Sequence, residues 1–308
     1  MAIKITTALL EALNTTVRTT FYNAYEKVQP WYDRITAQVP SGSASNTYPF
    51  VVSPGAVREW ESGERIVRGL QLGSYQIFNK RYELTIGINK DQLGDDMTGA
   101  LLLRTRDVAD KFRRHPDKMV AAILTSNPLG LDGVALFSVS HPRNPASPVA
   151  GEVFANLFGS SGLNATNLAR IRAAMMTIRG ADGDVLATDP RLIIVPPELE
   201  LTARKLVFST IIGDGGAGVS NVQQGMYQIL VVPQLSVDST STWYLADVST
   251  EDKPIIMQPR DGLEIVTQFS PSDPGVFNRN EYVWGATVRY GFGPGSPHRI
   301  AKCQEAAL

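Results

Sequence analysis

The segment Arg81-Tyr-Glu-Leu-Thr-Ile-Gly-Ile-Asn89 alternates strictly. Tyr82, Leu84, Ile86 and Ile88 fall on one side, with Arg81, Glu83, Thr85 and Asn89 opposite. A period of two marks a half-buried strand. Soon after it, Asp95-Asp96 open a run with helical periodicity that continues to about Ser126. Acidic residues at a helix N-terminus cap free amides and favour the positive end of the dipole. Leu101, Leu102, Val108, Phe112, Met119, Val120, Ile123 and Leu124 supply the buried face of this helix. His115-Pro116 interrupts the run, and proline removes one helical hydrogen bond, so a kink or break is expected there.

Upstream of this strand, Val57 to Gly73 sets Arg58, Glu59, Glu61, Glu64, Arg65 and Arg68 around Trp60. Such a segment is too polar for a core and reads as a two-stranded excursion with charges of both signs. An isolated hairpin is marginal in water, so the excursion needs a surface to lie on. Pro40-Ser-Gly-Ser-Ala-Ser-Asn46 is a flexible connector. Before it, Leu9, Leu10, Leu13, Val17, Phe21, Tyr25 and Val28 draw one apolar stripe on a helix. That pattern is a helix rather than an export signal, and no run approaches the ~18 apolar residues of a membrane span. The helix either packs on its own domain or lies as an arm on a neighbouring subunit.

Downstream, Gly133 to Pro142 gives a short strand and turn. A helix follows from Thr166 to Ile178, with Leu168, Ile171, Met175 and Ile178 inward. Gly180-Ala-Asp-Gly-Asp184 is a turn and Leu192-Ile-Ile-Val195 a buried strand. Pro196-Pro197 then open a third helix to about Ile212. Strands are expected at 228–232, 242–246, 255–257, 263–267 and 282–292. Two or three helices among antiparallel strands make the class α+β.

The composition is poor in catalytic hardware. In 308 residues, 29 basic and 30 acidic side chains leave a net charge of -1, which does not suit a protein that grips phosphate. Hydrophobic residues are 43% of the chain, enough for a sizeable core. One cysteine, Cys303, forms neither an internal disulfide nor a thiolate cage, which fits a reducing compartment. Gly213-Asp-Gly-Gly-Ala-Gly218 matches the dinucleotide fingerprint in letters, but a helix precedes it and no helical repeat follows. Asp91, Asp95 and Asp96, like Asp182 and Asp184, lack the ligand ladder of a calcium loop and are read as helix caps and turns. Ser138, Ser140 and His141 lack a nucleophile elbow, and strand neighbours point to opposite faces. No catalytic residue, cofactor site or metal site is assigned.

Four stretches together carry a family likeness: Trp60-Glu-Ser-Gly-Glu-Arg65; Tyr75-Gln-Ile-Phe-Asn-Lys-Arg-Tyr-Glu83 leading into Asp95-Asp96; Asp132-Gly-Val-Ala-Leu-Phe-Ser-Val-Ser-His-Pro142; and Asn167 to Val207, with Asp189-Pro-Arg-Leu-Ile-Ile-Val-Pro-Pro197 inside it. In order and spacing they resemble the major head subunit of Mu-like phages and prophages, the gpT family. The likeness spares only about 213–225. It implies the Hong Kong 97-type capsid fold of tailed phages. Laid over the chain, that fold gives an N-terminal arm at 1–46, an extended loop at 47–89 and a peripheral domain with a spine helix at 90–189. An axial domain at 190–280 and a return strand with the C-terminus at 281–308 complete it.

The resemblance further implies a major capsid protein that self-assembles into pentamers and hexamers around double-stranded DNA, without sequence-specific binding. Portal and scaffold proteins are the implied partners, the virion is the implied location, and synthesis falls in the host bacterial cytoplasm. The alternatives are a tail or decoration protein, or a nucleotide-binding enzyme using Gly213 to Gly218. The subunit contacts expected are Phe21, Tyr25 and Trp31 on the arm and Trp60, Glu61, Arg65 and Arg68 on the excursion, because these fit no core of their own. Some relatives of the wider fold cross-link a Lys to an Asn near a catalytic carboxylate; Lys80 or Lys90 is the candidate lysine here, and the sequence does not place the trio.

Overall fold

The computed structural model describes residues 6–50, 71–94, 98–212, 218–270 and 272–305. Two sheets organise it. The long sheet orders Thr36–Gln38, Ile255–Gln268, Glu281–Pro294 and Lys80–Asn89. The compact sheet orders Gln228–Val231, Leu192–Val195, Trp243–Ala246, Ile300–Cys303 and Leu157–Phe158. The α+β class stands, although three pairings, between 36–38 and 255–257, 228–231 and 192–195, and 302–303 and 157–158, are parallel.

The alternation read at 81–89 is realised on the edge strand. Tyr82, Leu84 and Ile86 are half-buried and Ile88 is buried, while Arg81, Glu83 and Thr85 face solvent. Its neighbour Glu281–Pro294 aligns Tyr282 with Ile88, Trp284 with Ile86 and Ala286 with Leu84. Onto this surface lies the N-terminal helix Thr7–Lys27, capped by the Thr6 side chain. Its Leu10, Val17 and Phe21 are buried between the sheet and the long helix Thr98–Ser126. Leu9, expected in the stripe, is 43% exposed.

The long helix runs through Pro116 without the expected break. Val108 and Phe112 before the proline, and Val120, Ile123 and Leu124 after it, are buried in two different clusters. Packing on both sides outweighs the roughly 3 kcal/mol that an internal proline costs. Asp95 and Asp96 lie outside the described residues.

The compact sheet is covered on both faces. Leu192, Ile194, Tyr244, Ala246 and Ile300 pack toward the C-terminal half of the long helix. Ile193, Val195, Trp243, Leu245, Ala301 and Cys303 pack toward the helices Ala165–Met176 and Glu200–Phe208. Asn164, not Thr166, caps the first of these, accepting from Asn167 N. The second stops at Phe208 instead of reaching Ile212. Asn221 Nδ2 donates to the carbonyls of Leu206 and Ser209, each at 2.8 Å, which closes the helix end. Ile211–Ile212 then pair with Val219–Ser220.

Three further expectations are revised. Residues 133–142 form loop rather than strand for most of their length, because side-chain amides supply the pairing. Asn127 bonds both N and O of Phe137, and Asn156 bonds Leu136 O and Ser138 N. The strands at 255–257 and 263–267 are one strand, Ile255–Gln268, bulged at Pro259 to Glu264 where proline is tolerated. Chain order also departs from the sheets. Ile255–Gln268, within 190–280, joins the long sheet, and Ile300–Cys303, within 281–308, joins the compact one.

Asp117 ties the exit of the N-terminal helix to the long helix. Its Oδ1 accepts from the backbone N–H of Trp31 and of Tyr32, each at 2.9 Å. Burial pushes its carboxyl up to about 6 from 3.8, although those two amides favour the charged form. A carboxyl raised in the folded state binds more protons folded than unfolded between these values, so stability falls as pH rises from about 4 to about 6. Asp117→Asn keeps the Oδ1 acceptor and loses the charge. It should remove that pH slope and stabilise the subunit by about 1–2 kcal/mol at pH 7, measured by denaturant unfolding at a series of pH values.

Candidate subunit interface

The excursion read between 47 and 89 has a defined root. Ser45–Phe50 pairs antiparallel with Gln71–Phe78, placing Tyr48 opposite Tyr75, and residues 51–70 between them lie outside the described residues. Trp60, Glu61, Arg65 and Arg68 therefore fall there. The root crosses the end of the strand Glu281–Pro294 at very short range. A Cβ added at Gly291 would sit 2.8 Å from Phe78 O, and one at Gly293 would sit 2.7 Å from Ile77 Cδ1. At Gly291 the atom met is a backbone oxygen, so a side chain there would displace the root, whereas at Gly293 the atoms met belong to side chains.

Buried Gln258 on the neighbouring strand fixes the root in direction. Its Nε2 donates to Ile77 O at 3.2 Å and Asn79 Oδ1 at 3.1 Å, while its Oε1 accepts from Tyr48 Oη at 2.8 Å. Asn79 Nδ2 in turn donates to Ser41 Oγ at 2.7 Å and Ser43 O at 2.9 Å. Connector, root and long sheet are thus joined by one polar network with its donors matched to acceptors. Burial raises the phenols of Tyr48 and Tyr75, so both stay protonated at neutral pH. Gln258, Asn79 and the two glycines were not singled out from the sequence. The repeat Gly291-Phe-Gly-Pro-Gly295 inside a strand was the available signal.

The three expected arm contacts are set differently from their premise, because each packs on the chain's own core. Phe21 is 4% exposed and meets Phe112 edge-on. Tyr25 is half-buried, stacked on Phe21 and covered by the Arg113 guanidinium at 4.9 Å. Trp31 is half-buried beside the cluster around Val120 and Leu124. The apolar stripe marked a face that is buried, and the sequence could not say against what.

Exposed apolar side chains gather elsewhere. Leu201 and Phe208, seven apart on one helix face, are 64% and 59% exposed, and beside the helix end stand Ile211 and Val222 at 62% and 86%. Gly213 to Ala217 lie outside the described residues, between strands 211–212 and 219–220 of an antiparallel pair. The described residues on both sides are strands, whereas a pyrophosphate site has a strand before its glycines and a helix after them.

The residues weighed for chemistry are engaged in structure. His141 is fully buried, with Nδ1 2.6 Å from Asp132 Oδ2 and Nε2 3.0 Å from Asn156 Oδ1. Ser138 Oγ accepts from Ser140 N. Cys303 is buried in the compact sheet, and burial raises its thiol far above the reactive range. Asp182 Oδ1 accepts from Asp184 N in a turn. Among the described residues, no group of three or more His, Cys, Asp or Glu side chains could hold a metal ion, and no helix is long and apolar enough to cross a membrane.

A compact sheet sandwiched by helices, a long sheet lying along one long helix, and a hairpin root crossing that sheet define a capsid subunit of the tailed-phage, Hong Kong 97 type. The solved procapsid of bacteriophage JBD30 superposes with a TM-score of 0.60 at 24% identity, over 99% of this chain and 77% of that one. The capsid of an empty GTA particle gives 0.55 at 14% identity, over 91% and 92%. The chain belongs to the Mu-like prophage major head subunit gpT family, whose profile matches residues 10–162, 157–235 and 236–307. It is 24% identical over 296 residues to the major capsid protein of Escherichia phage Mu, covering 94% of this chain and 72% of that protein. The Mu-like prophage FluMu major head subunit of Haemophilus influenzae is 26% identical over 140 residues, 45% of each. The chain is a structural protein of the virion capsid.

The root geometry yields a direct test. Gly291→Ala should force the root off the long sheet, since the obstructing atom is a backbone oxygen. The expected loss is about 1–3 kcal/mol of subunit stability, read by thermal unfolding, together with faster proteolysis between residues 45 and 78.

Proposed function

We propose that this chain builds the icosahedral head of a Mu-like phage as pentamers and hexamers of itself, enclosing double-stranded DNA, and that it carries no catalytic activity of its own. In this reading the compact sheet with its helices is the axial domain, and the long sheet with the long helix is the peripheral domain. Residues 1–46 form the arm and 47–89 the extended loop. Synthesis and assembly take place in the host cytoplasm, with portal and scaffold proteins as further partners.

The observation that carries the proposal is the apolar group Leu201, Phe208, Ile211 and Val222. Large apolar side chains along one helix face and beside its C-terminal end mark a contact surface. Repeated head to tail about an axis, such a patch closes a ring. The net charge of -1 supports the enclosing role, because tight neutralisation of phosphates needs a surplus of cations.

Phe208→Asp combined with Val222→Glu should abolish rings and shells seen by electron microscopy. The melting temperature of the unassembled subunit should stay within a few degrees of wild type, since exposed sites contribute little to stability. Shells of normal yield from the double variant would place the ring contact elsewhere, and a wild-type subunit that never assembles would overturn the proposal.

A further inference from the structure

Three irregular segments meet in a cleft of about 250 Å³. Arg143 and Asp132 reach it from the loop after the long helix, and Arg179 from the turn after the helix Ala165–Met176. Asp252, His298 and Arg299 form the third wall. Both acids on these walls are engaged. Asp132 Oδ1 accepts from Val134 N, and its Oδ2 lies 2.6 Å from His141 Nδ1. Asp252 Oδ1 accepts from Ser296 Oγ and its Oδ2 from Arg299 Nε at 3.1 Å. Arg299 also donates to buried Asp247, which fixes it as part of the wall. His298 is lowered to about 4 by burial and is neutral at pH 7. Arg143 is bonded to neither acid, and its Nε is closed off from solvent without a hydrogen-bond partner. A buried donor on a charged group is ordinarily met by something, because leaving it orphaned is costly. Arg179 is exposed and donates from Nη1 to Gly183 O at 3.3 Å. In the same turn, Asp182 Oδ1 accepts from Asp184 N.

We infer that this cleft binds a free oxyanion of the phosphate class, held between the guanidiniums of Arg143 and Arg179. The volume suits one small ion and excludes a nucleic-acid duplex. A small turn of Arg143 into the cleft it lines would present Nε and one Nη as a fork to two oxygens of a single anion. A carboxylate would fill that fork and keep no oxygen for a second guanidinium. A phosphate has further oxygens for Arg179 on the opposite segment. Asp132 and Asp252 shape the recess and do not compete for Arg143, since their oxygens are already bonded to their own walls. Bound there, the ion would join the loop after the long helix to the turn that leads into Leu192–Val195. The site belongs to one subunit, so its test needs no shell.

Inorganic phosphate, titrated by calorimetry into the unassembled subunit at constant ionic strength, tests the assignment. Binding should saturate at one ion per subunit. Arg143→Gln should weaken it about tenfold or more, as expected for the loss of charge-assisted hydrogen bonds. Arg143→Lys should fall between the two, because it keeps the charge without the fork. Arg179→Gln alters an exposed side chain and should also weaken binding, which keeps the test open should the Arg143 variants fail to fold. Arg104→Gln, an exposed position on the long helix outside the cleft, should change nothing. Absence of saturable binding, undiminished binding to Arg179→Gln, or an equal loss on Arg104→Gln would overturn the inference. Acetate binding as tightly as phosphate would overturn the phosphate class. Displacement of phosphate by a short DNA duplex would overturn the free ion as the ligand.

Discussion

The strand Glu281–Pro294 cannot slip by one residue, and the rest of the molecule depends on that. Its first half turns Tyr282, Trp284 and Ala286 into the clusters beneath the N-terminal helix. Its second half presents Gly291 to the backbone of the hairpin root, where an added Cβ would sit 2.8 Å from Phe78 O, and Gly293 to the root's side chains. A one-residue shift would reverse both faces together, exposing the aromatics and bringing Phe292 under the root. The pairing with Lys80–Asn89 runs through consecutive residues, while the pairing with Ile255–Gln268 absorbs its irregularity in a bulge. Twist and adjustment are thus displaced to the neighbouring strand, and the arm helix, long helix and hairpin root all take their positions from a fixed surface.

Irregular segments are held by buried side-chain amides and one carboxylate. Asn127 and Asn156 pair with the 136–138 backbone, Asn221 closes a helix end, Gln258 and Asn79 orient the hairpin root, and Asp117 receives the chain leaving the N-terminal helix. Each replaces a missing backbone ladder with side-chain bonds, which satisfies buried peptide groups at positions that regular structure cannot reach. The consequence is mechanical: the irregular segments and the paired strands Ser45–Phe50 and Gln71–Phe78 are held to the body at anchored points.

Regular elements were legible in the sequence because their periodicity was undisturbed. The alternation at 81–89 and the four-residue apolar run at 192–195 read directly as a half-buried strand and a core strand, and the burial agrees. Misreadings arose where distant residues decided a local outcome. Pro116 argued for a break, yet clusters on both sides keep the helix continuous. The end of the helix at Phe208 depends on Asn221, thirteen residues later, which no local rule anticipates. Ile300–Cys303 was not among the strands expected, and Lys302 interrupts its apolar run. That lysine is only 7% exposed, with its ammonium 5.8 Å from the Phe137 ring and 6.0 Å from that of Tyr244. The contact surface was harder still. Phe21 and Phe208 are both phenylalanines on helices, and only the fold makes one core and the other exposed.

A shell subunit faces two opposed demands, since it must remain soluble alone and yet cohere with many copies. A continuous apolar face would serve the second and defeat the first. Here most apolar surface is consumed within the chain by covering the compact sheet on both faces and seating the N-terminal helix on the long sheet. What remains exposed among the described residues includes the side chains near Phe208 and separate ones such as Phe78, Leu103, Val237 and Phe277, set among polar and charged segments. Specificity can then come from geometry, with strands and clefts whose hydrogen-bonding groups find partners only in register. Opposite charges spread along one segment serve the same end, being attractive in one alignment and repulsive in others. A net charge near zero follows from that economy, because both signs are needed for alignment and neither is needed in excess.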